Sequence, residues 1–280
     1  MALAFTVLGS GSKGNAIAVG CDNLYVLIDA GFSRCELLRR MELANIDPGA
    51  VRAVLLTHEH ADHVSGARVF CNSLNIPLCL TAKTADFLQD RRTLPNKVQV
   101  FNAGDAFLIA GFEVKSFSTM HDAIDPVGYT LARDGSKIGV ATDIGVAGEG
   151  VLSALAECHA LLWESNYDLE MLRNSNRPER LKRRIMSASG HLGNLDSAKA
   201  LGRLLSGGVK TLVLGHVSRE CNTYEIAYAT ALKALAALER ADVALHVARQ
   251  EEPLETLYIG GEPEAQEYHS DLLVWAGCGT

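Results

Sequence analysis

The residues best suited to chemistry lie in one stretch, Thr57-His58-Glu59-His60-Ala61-Asp62-His63. Imidazole and carboxylate together form the ligand set of a hydrolytic metal centre. His58 and His60 are two apart, so an extended backbone turns them the same way. Asp62 and His63 are adjacent and can face a second point from the end of the loop. The spacing points to two neighbouring metals rather than to a polar surface loop. Three more residues share this setting: His121 follows the apolar residues 112–118, Asp143 follows 139–142, and His216 follows 211–215. Carboxylate oxygens can bridge two ions, which lets one residue such as Asp143 serve a binuclear site. Apolar segments that each deliver an imidazole or carboxylate just past their C-terminal end imply one shared site. Asp29, which ends residues 24–28, reads either as an acceptor orienting a ligand histidine or as a loop cap.

Strands must carry these positions. Residues 51–56 form an apolar run that reads as a buried strand, and a helix is expected from 64 to about 75. A strand-to-helix loop is where an α/β protein places its chemistry. Residues 5–8, 16–19 and 24–28 read as strands. Between the first two, Gly9-Ser10-Gly11-Ser12-Lys13-Gly14-Asn15 reads as a tight loop whose amides could cradle an anion or simply turn a hairpin. Its lysine is not followed by serine or threonine, so it is not a P-loop. Residues 35–44 read as a helix stopping near Pro48-Gly49. Strands follow at 77–80, 98–101, 106–109 and 112–118, with a helix at 84–89. Residues 127–132 and 137–142 form a hairpin around Asp134-Gly135. Beyond Asp143, helices at 151–157, 195–205 and 223–240, and a largely helical stretch at 168–184, alternate with strands at 160–163, 211–214 and 243–247. With no internal repeat, low-complexity segment or Pro/Ser-rich linker, the economical reading is one α/β domain over residues 1–280: two sheets with helices outside.

Composition narrows the setting. A chain of 280 residues with 48% hydrophobic and 21% charged content can bury a sizeable core. The net charge of −7 means that any polyanion must be met by a local basic patch. The seven cysteines are scattered, with no C-x-x-C pair, which favours free thiols in a reducing cytoplasm over disulfides or a thiolate metal site. The N-terminal residues enter a strand without a basic segment, and no apolar run approaches about 18 residues. The expectation is a cytoplasmic protein without signal peptide or membrane span. The segment from residue 251 is acidic and ends in Leu272-Leu273-Val274-Trp275. It reads either as packing on the domain or as contacting a partner subunit in a homodimer.

His58-x-His60-x-Asp62-His63, followed by His121, Asp143 and His216, resembles the metallo-β-lactamase superfamily in ligand type and order. The resemblance implies a four-layer αβ/βα sandwich: two mixed sheets with helices on the outer faces and a binuclear site at one sheet edge. It implies that His58, His60 and His121 hold one ion, that Asp62, His63 and His216 hold the other, and that Asp143 bridges them. No cysteine falls at a ligand position, so the chain resembles the phosphodiesterase branch that contains RNase Z and PhnP. Gly9-Ser10-Gly11-Ser12-x-Gly14-Asn15, Trp163-Glu164-Ser165-Asn166, Gly190-His191-Leu192-Gly193-Asn194 and the run from Leu214 to Thr223 are similar to the YycJ/WalJ group of bacterial proteins. That group implies 5′-to-3′ exonuclease activity on double-stranded DNA and an association with a two-component signalling system.

Phosphodiester hydrolysis needs a nucleophile at neutral pH and neutralisation of developing charge, both of which paired divalent cations supply. Zinc, manganese and iron all suit these donors. Asp62 is a candidate orienter of the attacking water as well as a ligand. His191, which matches the extra histidine of the RNase Z branch, is the candidate proton donor to the leaving alkoxide. Asn166 and Asn194 read either as contacts to phosphate oxygens or as helix N-caps, and the resemblance places Ser10 and Asn15 near the metals. Arg173, Arg177, Arg180, Lys182, Arg183 and Arg184 are opposed within their run only by Glu179. They read either as a grip on a phosphate backbone, with Arg183 and Arg184 nearest the site, or as a solvated helix face. The expected substrate is nucleic acid, DNA in preference to RNA, with no membrane partner. The competing readings are a small-molecule hydrolase of the same fold, acting on a thioester, a lactone or a cyclic phosphodiester, and a metal-binding regulatory partner of a signalling system.

Overall fold

A computed structural model describes residues 2–261; Leu272-Leu273-Val274-Trp275, His269 and Cys278 lie outside the described residues. The chain begins with β1 (Leu3–Gly9), β2 (Ala16–Cys21) and β3 (Leu24–Ile28), then α1 (Arg34–Leu43), β4 (Val51–Leu55), α2 (Ala61–Val64), α3 (Ala67–Leu74), β5 (Leu78–Thr81), α4 (Ala82–Asp90) and β6 (Val98–Phe101). It continues with β7 (Ala106–Ile109), β8 (Phe112–Ser118), β9 (Val127–Arg133), β10 (Ser136–Ala141), α5 (Glu149–Leu155), β11 (Ala160–Glu164), α6 (Leu169–Asn174), α7 (Glu179–Ile185), α8 (Asn194–Leu204), β12 (Thr211–Gly215), α9 (Tyr224–Ala237), β13 (Ala244–Val247) and β14 (Leu257–Ile259). Two seven-stranded sheets result, in the orders β14-β1-β2-β3-β4-β5-β6 and β13-β12-β11-β10-β9-β8-β7. Each sheet is mixed. Strands β3 to β6 and β10 to β13 run parallel, and the remaining pairs are antiparallel.

Alternation along the strands builds the layers. Side chains two apart point to one face of a sheet. In β3, Val26 and Ile28 join a central core while Leu27 joins an outer one. In β11, Ala160 and Leu162 face the central core, and Leu161 and Trp163 face the opposite outer core. The central core takes residues from both sheets. One outer core adds Leu37 and Met41 of α1, Phe70 of α3 and Leu88 of α4, and the other adds Leu155 of α5, Leu201 of α8 and Ala231 of α9. Helices therefore cover the two outer faces, giving the four layers expected. Parallel strands buried on both faces read as continuous apolar runs, which is why residues 211–214 and 160–163 were legible as strands.

Three details differ from the sequence expectation. The helix expected from 64 to 75 is two helices, α2 and α3, broken at Gly66. A Cβ there would lie 1.8 Å from the carbonyl oxygen of Phe32, so only glycine lets the break press against the turn after β3. The helical stretch expected over 168–184 is split into α6 and α7 by Pro178, which caps α7 and holds the preceding backbone out of the helix. β14 was not foreseen: it has three residues, too few for a pattern, and pairs antiparallel with β1 through Leu3↔Ile259. The β9–β10 hairpin turns through Asp134-Gly135, both at positive φ, as expected. Among the described residues no helix is long and apolar enough to cross a membrane.

Candidate metal centre

The C-terminal ends of the parallel strands meet at one end of the sandwich. The first sheet brings Asp29 after β3 and the run His58–His63 after β4. The second brings His121 after β8, Asp143 after β10, Glu164 at the end of β11 and His216 after β12. Asp29, Asp143 and His216 all take positive φ, at 62°, 57° and 54°. Left-handed backbone is uncommon outside glycine, though Asp and His tolerate it better than most, and such strain gathers at functional sites. Tyr129 of β9 donates its hydroxyl to the Leu56 carbonyl at 2.5 Å, and the Val127 amide donates to the Thr57 carbonyl at 3.1 Å, which ties the second sheet to the start of the histidine loop.

Four sets of donors have their ligand atoms within 4.8 Å of one another: His58, His60 and His121; His58, His63 and Asp143; Asp62, His63 and His216; and Asp143, Glu164, His191 and His216. Asp143 lies among them. Its Oδ2 is 3.1 Å from His63 Nε2, and its Oδ1 is 3.6 Å from His121 Nε2 and 3.4 Å from His216 Nδ1. The Nε2 atoms of His58 and His216 and Oδ2 of Asp143 are buried without a hydrogen-bond partner. An unsatisfied buried polar atom costs about 1–3 kcal/mol, so three in one place call for a cation. The imidazoles are also oriented from behind. His63 Nδ1 faces Asp29 Oδ2 at 2.7 Å, His121 Nδ1 faces the Gly190 carbonyl at 2.9 Å, and His216 Nδ1 faces Glu164 Oε1 at 2.9 Å. Each contact fixes the proton on Nδ1 and aims Nε2 inward, as metal-binding histidines require. Asp29 is itself locked by the Thr57 amide and hydroxyl at 2.8–3.0 Å. The donors fit divalent cations.

The electrostatics agree. Burial opposes charge on His63, yet Asp143 and Asp29 on either side hold its pKa well above the ordinary value. Burial likewise opposes His216, but Asp143, Asp62 and Glu164 lift it to about 10. Asp143 sits well below the usual carboxylate range, since His216 and His63 outweigh its burial. His58 is driven well below the ordinary value by burial and by the neighbouring His63.

Other residues singled out in the sequence have these places. His191 stands at the rim with its side chain 17% exposed, and its Nδ1 is bound to Glu164 Oε1 at 2.9 Å. Ser10 and Asn15 are fully buried. Ser10 Oγ accepts from the His216 amide at 2.8 Å and donates to Asn15 Oδ1 at 3.0 Å, while Asn15 Nδ2 lies 3.1 Å from His63 Nε2. The glycine-rich loop thus props both ligand loops. Asn166 donates to the His216 carbonyl at 2.7 Å. Asn194 is bonded to Ser165 and Asn222 inside the fold, and Gly193, not Asn194, caps α8. Within the basic run, Lys182 turns inward to the Arg173 carbonyl at 2.6 Å, Arg177 pairs with Glu220 at 3.1 Å, and Arg184 pairs with Asp122. Arg173, Arg180 and Arg183 are exposed. Sequence reasoning assigned nothing to Glu164, which is completely buried and accepts from His191 and His216 and from the amides of Ile144 and Leu192. The signal was present: like Asp143 and His216, it ends an apolar strand.

Two sheets whose strand ends enclose paired sets of imidazole and carboxylate donors define a metal-dependent hydrolase. The chain belongs to the beta-lactamase superfamily, whose domain matches residues 25–217. It is 34% identical over 229 residues to Exodeoxyribonuclease YycJ of Bacillus anthracis, covering 81% of this chain and 87% of that protein. It is 31% identical over 236 residues to Exodeoxyribonuclease WalJ of Streptococcus pneumoniae, covering 83% and 88%. The metallo-beta-lactamase fold protein YhfI from Bacillus subtilis shares the architecture with a TM-score of 0.69 at 14% identity, over 91% of this chain and 99% of that one. The family expected from the ligand motif and its flanking segments is the family found.

Proposed function

We propose that the chain is a metal-dependent phosphodiesterase that degrades DNA from its ends, with two zinc or manganese ions (iron satisfies the same donors) as its cofactors. In this reading His58, His60 and His121 hold one ion, Asp62, His63 and His216 the other, and Asp143 lies between them. When bound, the cations supply the Lewis acidity that makes water a nucleophile at neutral pH and offset charge on the phosphate. The observation that carries the reading is the Glu164–His191 pair beside those donors. Glu164 accepts from His191 Nδ1, and when the ring is the imidazolium its Nε2–H is the proton delivered to a leaving alkoxide at the rim, leaving the neutral Nδ1–H ring on Glu164. Asp62, with its side chain 24% exposed, is the most open of the three carboxylates near His63 and orients the attacking water. Arg183 contributes positive charge toward the backbone of the substrate. The two relatives named exodeoxyribonucleases support DNA as the polymer and its ends as the point of attack. We also read the chain as a single domain.

The test is digestion of DNA and RNA, labelled in turn at each end, by the protein loaded with Zn2+, Mn2+ or Fe2+. Metal-dependent release of short products from DNA ends, lost in His60→Ala, supports the reading. Cleavage of no nucleic acid and no bis-p-nitrophenyl phosphate with any metal sinks it, and turnover of a thioester or lactone instead would favour the small-molecule hydrolase.

A further inference from the structure

Beside the metal centre lies a surface that a purely polar site does not need. Met120, Ile124, Val146 and Met186 are 52%, 46%, 39% and 38% exposed. They come from three segments: the loop between β8 and β9, the loop after Asp143, and the residue that follows α7. These segments are bound into one rim. The Gly145 amide donates to the Met120 carbonyl at 2.8 Å, and the Ile124 amide donates to Glu59 Oε1 at 3.0 Å. Gly145 also packs so tightly on residues 188–190 that a Cβ there would lie 2.2 Å from the Ala188 carbonyl oxygen. The Gly190 carbonyl in turn holds His121. The lip therefore adjoins both a candidate ligand and His191, and exposed apolar groups gathered at a site mark a binding surface. Arg183, exposed, stands in the last turn of α7, three residues before Met186 at its C-cap. A cation next to apolar side chains matches a nucleotide, phosphate beside base.

We infer that this lip receives the unstacked base of the terminal nucleotide, so that the centre works on chain ends whose last base has left the stack. The inference rests on the nuclease reading. Apolar side chains inserted at base steps are an established way for proteins to hold unstacked DNA, and the energy gained by covering the lip offsets part of the cost of unstacking. The lip's methionine, isoleucine and valine side chains make contact by apolar packing rather than by ring stacking.

The test uses the Mn2+-loaded full chain and two duplexes that differ only in the terminal nucleotide, one normal and one abasic. We expect kcat/KM for terminal release to be about tenfold higher for the base-bearing end. We expect Ile124→Ser/Met186→Ser, and separately Val146→Ser, to shrink that preference to roughly twofold or less. Equal wild-type rates on the two ends overturn the inference whatever the variants do, as does a preference that survives all three substitutions. Failure of the nuclease reading looks different: no nucleotide is released from either duplex.

Discussion

Glu164 is the residue on which the two halves of the site depend. One oxygen accepts from both His191 and His216, and the other accepts from two backbone amides. It keeps its charge because His191 and His216 outweigh its complete burial. Glu164→Gln removes that charge while retaining shape. We expect kcat on DNA to fall by about 10²–10⁴, the range of general acid catalysis. The fall should be much smaller on bis-p-nitrophenyl phosphate, whose leaving group needs little help from an acid. Equal losses on both substrates would mean that Glu164 serves the metals alone. Asp29 acts one step further back. Asp29→Asn weakens the hold on His63 Nδ1 and should lower metal affinity about 10–100-fold, read by competition with a chelator. The donor residues were legible because imidazoles and carboxylates at the ends of apolar strands are conspicuous. Of their orienting partners, Asp29 was legible as one of two readings and lies behind His63, but Glu164 was not, because nothing in a sequence says which carboxylate will lie behind which ring. Asn15, Asn166 and Asn194 show the same limit: an amide that can touch a phosphate can equally be spent inside the fold.

At the scale of elements, the site depends on how loops are braced. Arg40 of α1 donates to the Leu8 carbonyl at 2.7 Å and to the Gln250 carbonyl at 3.0 Å, which joins the helix to the start of the glycine-rich loop and to the segment before β14. Gln250 then holds the Lys13 amide at 2.7 Å and the Gly14 carbonyl at 3.0 Å. Arg40 is itself held by Glu36 at 2.6 Å. Hydrogen bonds from Arg39 and, against the effect of partial burial, from Arg40 pull the Glu36 carboxyl down to about 2, from an ordinary 4.5. A depressed carboxyl pKa stabilises the fold above the ordinary value, and this contribution fades as pH falls from 4.5 toward 2. Wild type should therefore exceed Glu36→Gln in urea midpoint near neutral pH, with the gap closing as the pH approaches about 2. A gap independent of pH would show that the charge is immaterial. Strands and the longer helices were readable from periodicity. The breaks at Gly66 and Pro178 were harder, because the first depends on a tertiary close approach and the second interrupts an otherwise helical composition.

The whole molecule is acidic, at a net −7, yet Arg173, Arg180 and Arg183 stand exposed together in the segment leading to His191. Bulk charge should keep non-specific binding to DNA weak, leaving a local contact to provide the grip. Replacing Arg180 and Arg183 by glutamine should raise KM for duplex DNA and lower the slope of log affinity against log salt by roughly 1 per lost phosphate contact. An unchanged salt slope would make the run a solvated helix face. The two-sheet architecture and the end at which the donors meet could be anticipated. The placement of residues 257–259 beside β1 could not, since a short strand is chosen by the free edge it meets and not by its own pattern. The central claim is that donors from both sheets form one binuclear hydrolytic centre. The most direct measurement is terminal nucleotide release from duplex DNA as metal-free protein is titrated with Mn2+, bound metal being counted at each point. The account predicts that activity rises with the second equivalent and that Asp143→Ala abolishes it. Full activity in the metal-free protein, or a maximum reached with one ion bound, would contradict it.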